Sequence, residues 1–185
     1  VYDDSNANFT IRGSLVITVP NGSEQWETQK VKSITWTKSG TFSTVSLFYS
    51  KNSGGDGYPW TIATGASAGT TTGSYNWTVD TAALTNGNAN NNVRVKIVSE
   101  QATNVQVSDT SKADISVVQS LIVNSPNTGN EVWYVGDTDN ITWTVYGSIS
   151  KVHCWYNKES AGWIRITTAG GVDANQGQGA GTYSW

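Results

Sequence analysis

The sequence has 185 residues, 14% of them charged, and a formal net charge of −3 at pH 7. Its 11 Lys and Arg residues are scattered along the chain, which excludes the basic patch by which proteins bind nucleic acid. No apolar run approaches the roughly 18 residues of a membrane-spanning helix, so a transmembrane segment is also excluded.

The residue usage predicts an all-β protein with essentially no helix. Strand-forming Val, Ile, Thr, Tyr and Trp outnumber good helix formers, and no segment has the apolar period of a helix over a helical length. Clusters of Gly, Asn and Ser recur about every ten residues, the spacing of turns between short strands. The single cysteine, Cys154, excludes an internal disulfide.

The first residues resemble the end of a repeat. Val1 to Leu15 aligns without a gap on Val107 to Leu121, 106 positions later. Both segments contain an Asp-x-Ser turn followed by alternating apolar residues, Phe9 and Ile11 in one and Ile115 and Val117 in the other. We therefore predict that residues 1–13 form the last strand of a preceding repeat.

From Leu15 onward the elements of one repeat recur in the same order in a second. The central match is Ile34 to Thr37, reading Ile-Thr-Trp-Thr, which recurs at Ile141 to Thr144. Other matched segments are Leu15–Pro20 with Leu121–Pro126, Trp26 with Trp133, Val45, Leu47 and Tyr49 with Val152, Cys154 and Tyr156, Trp60–Ile62 with Trp163–Ile166, and Gly73–Trp77 with Gly181–Trp185.

Two further strands close the first repeat. Val93, Val95 and Ile97 form an inward-facing triplet, and a closing strand is expected at 104–118. The prediction is a complete repeat at 14–119 and a truncated repeat at 120–185, each an immunoglobulin-like β-sandwich with about seven strands per complete unit. A small barrel is the alternative. We expect the chain to be a piece of a longer array.

The order of these motifs resembles a known group of modules. Pro-x-x-Gly, Ile-Thr-Trp, Val-x-Leu-x-Tyr-Ser, Gly-Ser-Tyr-x-Trp and Val-x-Val-x-Ile are similar to the tandem Ig-like or fibronectin-III-like repeats of large bacterial secreted and surface proteins. They are also similar to the Ig-like domain of fungal cell-wall proteins of the Kre9/Knh1 type. This resemblance implies a spacer, surface-layer, filament, adhesin-stalk or enzyme-accessory role, outside the cell or on its surface.

Most tryptophans are predicted to be core residues. Eight of the nine fall into four pairs at equivalent repeat positions. Trp36 and Trp77 with their partners Trp143 and Trp185 have the inward parity of buried side chains. Trp26 and Trp60 lie near turns, where partial exposure is expected.

A few aromatic residues are candidates for external contact with a sugar or a protein. Trp155 aligns with Phe48 on the outward parity of the third strand, and Tyr58, Trp60 and Trp163 lie near the loop that follows it. These five residues are the candidate site, and a polysaccharide is the candidate ligand.

Catalysis is not expected. The only histidine, His153, is next to Cys154, and adjacent residues of a strand point to opposite faces. One His and one Cys cannot make a zinc cluster or a nucleophilic triad. A pair of carboxylates for glycoside hydrolysis stays open, although no motif identifies one.

Aspartates near strand ends raise the question of calcium. Asp3, Asp4, Asp109 and the turn from Asp137 to Asp139 lie where tandem surface domains are often stiffened by calcium. Turn capping of backbone amides by Asp is the interpretation we favour, with calcium at the repeat junctions as the alternative.

Three functions follow in order of preference. The first is a non-catalytic structural repeat whose partners are neighbouring repeats and other copies in an assembly. The second is a carbohydrate-binding or enzyme-accessory module. The third is exchange of strands between molecules through their incomplete ends.

Overall fold

The computed structural model describes residues 1–2, 4–101, 105–174 and 179–185. The prediction of an all-β fold is confirmed: within these residues, helical backbone is limited to two 3₁₀ turns, Thr81–Ala83 and Glu159–Ala161. None of the described helices is long and apolar enough to cross a membrane. The predicted closing strand at 104–118 begins outside the described residues.

Short strands make up the chain from Ser14 onward. They are β1 (Ser14–Val19), β2 (Gln25–Glu27), β3 (Val31–Ser39), β4 (Thr44–Ser50), β5 (Trp60–Ser67), β6 (Thr72–Thr78), β7 (Asn90–Ser99), β8 (Ser108–Thr110), β9 (Ile115–Val118), β10 (Ser120–Ser125), β11 (Asn140–Tyr146), β12 (Lys151–Val152), β13 (Trp155–Asn157), β14 (Trp163–Arg165), β15 (Val172–Asp173) and β16 (Ala180–Ser184).

The strands of residues 14–119 form two sheets. One has the order β1-β3-β6, and the other has the order β2-β9-β7-β4-β5, with β8 paired to β7. Their inward side chains, among them Ile34, Leu47 and Ile97, are fully buried. The period-2 alternation of the sequence accounts for this, because successive strand residues point to opposite faces of a sheet.

In residues 120–185, strands β10-β11-β16 form a three-stranded sheet, while β12 pairs with β15 and β13 with β14. The core of this part consists of Trp143, Val145, Val152 and Ala174, packed against partly buried apolar neighbours. It is a smaller core than that of residues 14–119.

The two three-stranded sheets share one pairing pattern. Ile17 pairs with Trp36 in β1–β3, and Val123 pairs with Trp143 in β10–β11, and each pairing is followed by a register shift. The turn after the first strand also recurs. Glu24 accepts hydrogen bonds from the amides of Asn21 and Gly22, at 2.8 and 2.7 Å, and Glu131 accepts the corresponding pair in the second copy. The sequence repeat is therefore repeated in backbone structure.

Trp36 is held by a hydrogen bond as well as by packing. Its indole Nε1 donates to the backbone oxygen of Ala68 at 3.1 Å, and the side chain is buried. Gly73 lies against this contact, because a Cβ there would collide with the Trp36 indole and would lie 2.6 Å from the Ala68 oxygen. The corresponding Gly181 lies in the same way against the indole of Trp143.

Two segments differ from the predicted strands. Residues 4–13 lie outside any strand, and the side chains of Phe9 and Ile11 are exposed. That residues 1–13 form the last strand of a preceding repeat stays a prediction. The third strand of the second repeat is split into β12 and β13, because the two pieces pair with different strands, β15 and β14. His153 and Cys154 lie between them, outside any strand.

By compactness the chain divides into two units. One comprises Val1–Glu24, Val31–Trp77 and Asn92–Ile115, and the other comprises Gln25–Lys30, Thr78–Asn91 and Ser116–Trp185. The repeat boundaries at residues 13/14 and 119/120 stay a prediction.

Candidate functional site

The candidate aromatic residues of the first repeat do not form one surface. Phe48, on β4, is half-buried and pairs with Lys96 on β7 and Thr61 on β5. Directly opposed residues share a sheet face, so Phe48 and Lys96 lie on the same side. Tyr58 is also half-buried, and its ring lies 5.5 Å from the Lys96 ammonium, within the range of a cation–π contact.

Trp60 lies on the opposite face of this sheet from Phe48. It pairs with Tyr49, and the two rings stack with centroids 5.9 Å apart. The ammonium of Lys51 lies 5.0 Å from the Trp60 ring. Trp60 therefore covers the edge of the core and leaves 40% of its surface exposed.

Trp155 and Trp163 are brought together by the hairpin of β13 and β14. Trp155 pairs with Arg165 and Asn157 with Trp163, and the Arg165 guanidinium lies 5.7 Å from the Trp155 ring. The exposed fractions of the two tryptophans are 49% and 69%. Both line a cleft of about 740 Å³.

This cleft is lined mainly by apolar and aromatic side chains. Its lining consists of Leu121, Val123, Pro126, Trp133, Ile141, Trp143, Val152, His153, Cys154, Trp155, Tyr156, Trp163, Ile166 and Trp185. Inside it, Trp185 contacts Trp133 edge-on at 5.8 Å between centroids and Tyr156 at 5.1 Å.

Comparison with the first repeat identifies the cleft as an open core face. Leu15, Ile17 and Trp77 are buried in the first repeat, at 5%, 2% and 5% exposure. Their counterparts Leu121, Val123 and Trp185 are 38%, 42% and 46% exposed. The same pattern of inward residues is therefore covered in one repeat and open to solvent in the other.

Two of the core assignments need correction. Trp185 was predicted to be buried, but it is almost half exposed because the face that it belongs to is open. Trp26 was expected to be partly exposed, but it is 5% exposed because β2 pairs in parallel with β9, placing Trp26 opposite Val117. Trp36, Trp77 and Trp143 are buried, as predicted.

Sequence reasoning left Trp133, Trp185 and Tyr156 out of the candidate site. Their pairing with Trp26, Trp77 and Tyr49 indicated core positions and gave no sign of exposure. The signal that could have found them is a contrast between the two repeats. The first contains the inward-facing apolar triplet Val93, Val95 and Ile97 on β7, whereas residues 120–185 contain no matching triplet.

The cleft contains little that could do chemistry. His153 Nδ1 lies 3.4 Å from the Thr167 hydroxyl oxygen. Burial raises the pKa of the Cys154 thiol, which disfavours the reactive thiolate. The buried Trp143 Nε1 has no hydrogen-bond partner among the described residues. In these residues, no group of three or more His, Cys, Asp or Glu side chains could hold a metal ion.

The aspartates proposed for calcium have other contacts. Asp109 Oδ2 accepts a hydrogen bond of 2.8 Å from the backbone amide of Ile17. The backbone of Asp139 exchanges two hydrogen bonds with Trp185, and the Asp137 amide donates to Tyr134. Asp3 lies outside the described residues. Calcium at the repeat junctions stays a prediction.

Glu131 fixes the turn that precedes Trp133. Its carboxylate accepts hydrogen bonds from the amides of Asn127 and Thr128, at 2.7 and 2.8 Å. The amide of Thr128, followed by that of Asn127, holds the pKa of Glu131 at about 2. After Glu131, residues 132–134 lie outside any strand and lead along the rim of the cleft, where Val132 and Tyr134 are exposed.

Comparison with known proteins adds little at this point. Neither a protein-family model nor a curated protein sequence matches the chain. Among solved structures, the chain is similar to the fibronectin(III)-like modules of Clostridium thermocellum CbhA, with 17% identity and a TM-score of 0.35. The alignment covers 92% of this chain and 77% of that chain. At this level the comparison carries no argument about function.

Proposed function

We propose that this chain is a non-catalytic structural repeat module of a long extracellular or cell-surface protein, such as a surface-layer component, a filament or an adhesin stalk. One observation carries the proposal. The β1–β3 and β10–β11 pairs have the same register and the same register shift. In each, the tryptophan of the second strand lies against a glycine, Trp36 against Gly73 and Trp143 against Gly181. Modules repeated in backbone and in core contacts are typical of proteins that extend by adding units.

The chemistry of the described residues agrees with this role. Matched residues of the two repeats such as Trp36 and Trp143 serve packing. The contacts of Asp109 and Glu131 hold backbone turns in place. Neighbouring repeats and other copies of the protein are the proposed partners.

The test is made on cells that produce the protein. An antibody against this chain should label intact cells or the medium, and immunoblots should show a polypeptide many times larger than 19.8 kDa. Labelling only after permeabilisation, or a native species close to 19.8 kDa, would contradict the proposal. An antibody to a cytoplasmic protein serves as the permeability control.

A carbohydrate-binding role is the second candidate, and the exposure of Trp155 and Trp163 favours it. Aromatic faces stack on sugar rings, and the two rings lie on one hairpin. The cleft offers few polar partners for sugar hydroxyls, however, and binding pockets normally contain a few such groups. We therefore place this function second.

Polysaccharide pull-down tests the second candidate. If the hairpin binds a glycan, Trp155→Ala and Trp163→Ala should each weaken retention on insoluble polysaccharide, while Trp60→Ala should not, since Trp60 belongs to another surface. Retention that is absent in the parent chain, or equal in all variants, would reject carbohydrate binding at this hairpin.

A further inference from the structure

A groove of about 490 Å³ lies on the outer face of the sheet formed by β1, β3 and β6. Its volume is within the range of small-molecule sites, about 300 to 1,000 Å³. Six side chains that line it carry a hydroxyl group: Thr18, Thr35, Thr37, Ser67, Thr72 and Ser74. We call it the hydroxyl groove.

The alternation of the strands places these hydroxyls on the outer face. Ile34 and Trp36 point into the core and are buried, so Thr35 and Thr37 point to the opposite side of β3. On β6, Gly73 lies against the Trp36 indole, and the residues on either side of it therefore face outward. The core of the first repeat thus supports the groove from beneath.

Two glycines that line the groove leave the main chain uncovered. Gly69 has a φ of +73°, and a Cβ there would collide with the backbone oxygen of Thr72. A Cβ at Gly73 would collide with the indole of Trp36. Glycine at such positions allows a ligand to approach the backbone closely.

Most of the hydroxyls can still form hydrogen bonds with a ligand. Thr18 and Thr35 share one bond of 2.7 Å between their Oγ1 atoms. Ser67 Oγ accepts from the amide of Gly69 at 3.4 Å, so its own hydrogen can be donated elsewhere. Within the described part of the chain, three hydroxyls make no side-chain hydrogen bond: Thr37, Thr72 and Ser74.

The groove also lacks charge. Its lining contains no charged side chain among the described residues. Lys32 and Lys38 on β3 have the parity of Trp36, not that of the outward threonines. On the other sheet, by contrast, Arg94 and Lys96 occupy outward positions of β7. A charged ligand would therefore meet no opposite charge in the groove.

We propose that the hydroxyl groove binds an uncharged saccharide. Each Thr or Ser hydroxyl both donates and accepts a hydrogen bond, as each sugar hydroxyl does, so the two sets of groups are complementary. Most of the hydroxyl residues are exposed and already bind water. Their exchange for a sugar gains little, and the expected Kd is on the order of 1 mM.

The first experiment follows the backbone amides of the 185-residue chain by NMR while maltohexaose, cellohexaose or mannohexaose is added. At least one of the three should cause saturable shifts at residues 18, 35–37 and 67–74. Hexagalacturonate should bind more weakly, because its carboxylates find no cation in the groove.

The second experiment removes single hydroxyls. Thr37→Val keeps the shape of the side chain but cannot hydrogen-bond, so it should weaken binding by about 3- to 10-fold, and Ser74→Ala should do the same. Thr78→Val is the matched control, because Thr78 is exposed on β6 outside the groove. It should bind like the parent. Thermal melting of each variant shows that it is folded.

Three results would overturn the inference. The first is the absence of saturable shifts with all three neutral sugars, and the second is equal or stronger binding of hexagalacturonate. The third is a set of shifts confined to residues 155–165, which would place the sugar on the Trp155–Trp163 hairpin. Equal affinity in the parent and Thr37→Val chains would also contradict it. The proposed structural role is tested on producing cells, so this inference can fail while that role stands.

Discussion

Trp36 provides the sharpest test of the proposed core, because packing and a hydrogen bond coincide there. Replacing it by Ala should lower the free energy of unfolding by about 3 to 5 kcal/mol, the usual cost of removing a buried tryptophan. The side chain is 1% exposed, so nearly all of its surface contributes. The buried oxygen of Ala68 also loses its donor, which places the expected value in the upper part of the range.

Two further variants separate these contributions. Trp36→Phe keeps an aromatic ring but removes the indole N–H, so it should cost about 1 to 3 kcal/mol for the unpaired carbonyl. Trp60→Ala is the matched control, because Trp60 is 40% exposed and its ring contacts are the stacking on Tyr49 and the nearby ammonium of Lys51. It should cost about 1 kcal/mol.

The assay is urea denaturation followed by circular dichroism, combined with amide hydrogen exchange at residues 34–37. Fluorescence is less suitable, since the chain has nine tryptophans. A Trp36→Ala chain with the parent's midpoint and unchanged exchange at these residues would refute the assignment of Trp36 as the core anchor. Equal losses in Trp36→Ala and Trp60→Ala would refute the argument from burial.

Three other predictions follow from local contacts. Gly181→Ala should destabilise the second repeat by about 1 to 3 kcal/mol through collision with the indole beneath it, whereas Gly170→Ala, with open space around it, should have little effect in thermal melting. Asp109→Ala should cost about 1 to 3 kcal/mol in urea denaturation, because the amide of Ile17 loses its acceptor. The pKa of Glu131 is lowered from 4.5 to about 2, so its stabilising contribution is present above pH 4.5 and is lost as the pH falls towards 2. Glu131→Gln should therefore show a smaller loss of stability across that interval in acid titrations, and an unchanged profile would contradict the assigned contacts.

Local pattern was sufficient to predict much of the fold. The alternation through Ile34 and Trp36 determines which side chains face inward, because a strand has a period of two residues. The repetition of that pattern at Ile141 and Trp143 then indicated a second sheet of the same kind. Both inferences need only neighbouring residues and the repeat, so the sequence contains all the information they require.

The candidate site depends on contacts between distant segments, which the sequence pattern does not contain. Trp26 is buried because β9, some ninety residues later in the chain, pairs with its strand. Trp185 has the same local motif as Trp77 but belongs to an open face. The aromatic residues of the hairpin at Trp155 and Trp163 could be predicted, whereas the cleft that surrounds them could not.

The parallel pairing of β2 with β9 also bears on how the first repeat would respond to tension along the chain. Once tension has separated β1 from β3, it acts on the entry side of β2 and on the exit side of β9, which lie at opposite ends of a parallel pair. The hydrogen bonds between the strands are then loaded together in shear, whereas pulling an antiparallel hairpin apart from one end breaks its bonds one at a time. We therefore expect a high rupture force for this repeat in single-molecule stretching, and Val117→Pro, which removes one donor from β9, should lower it.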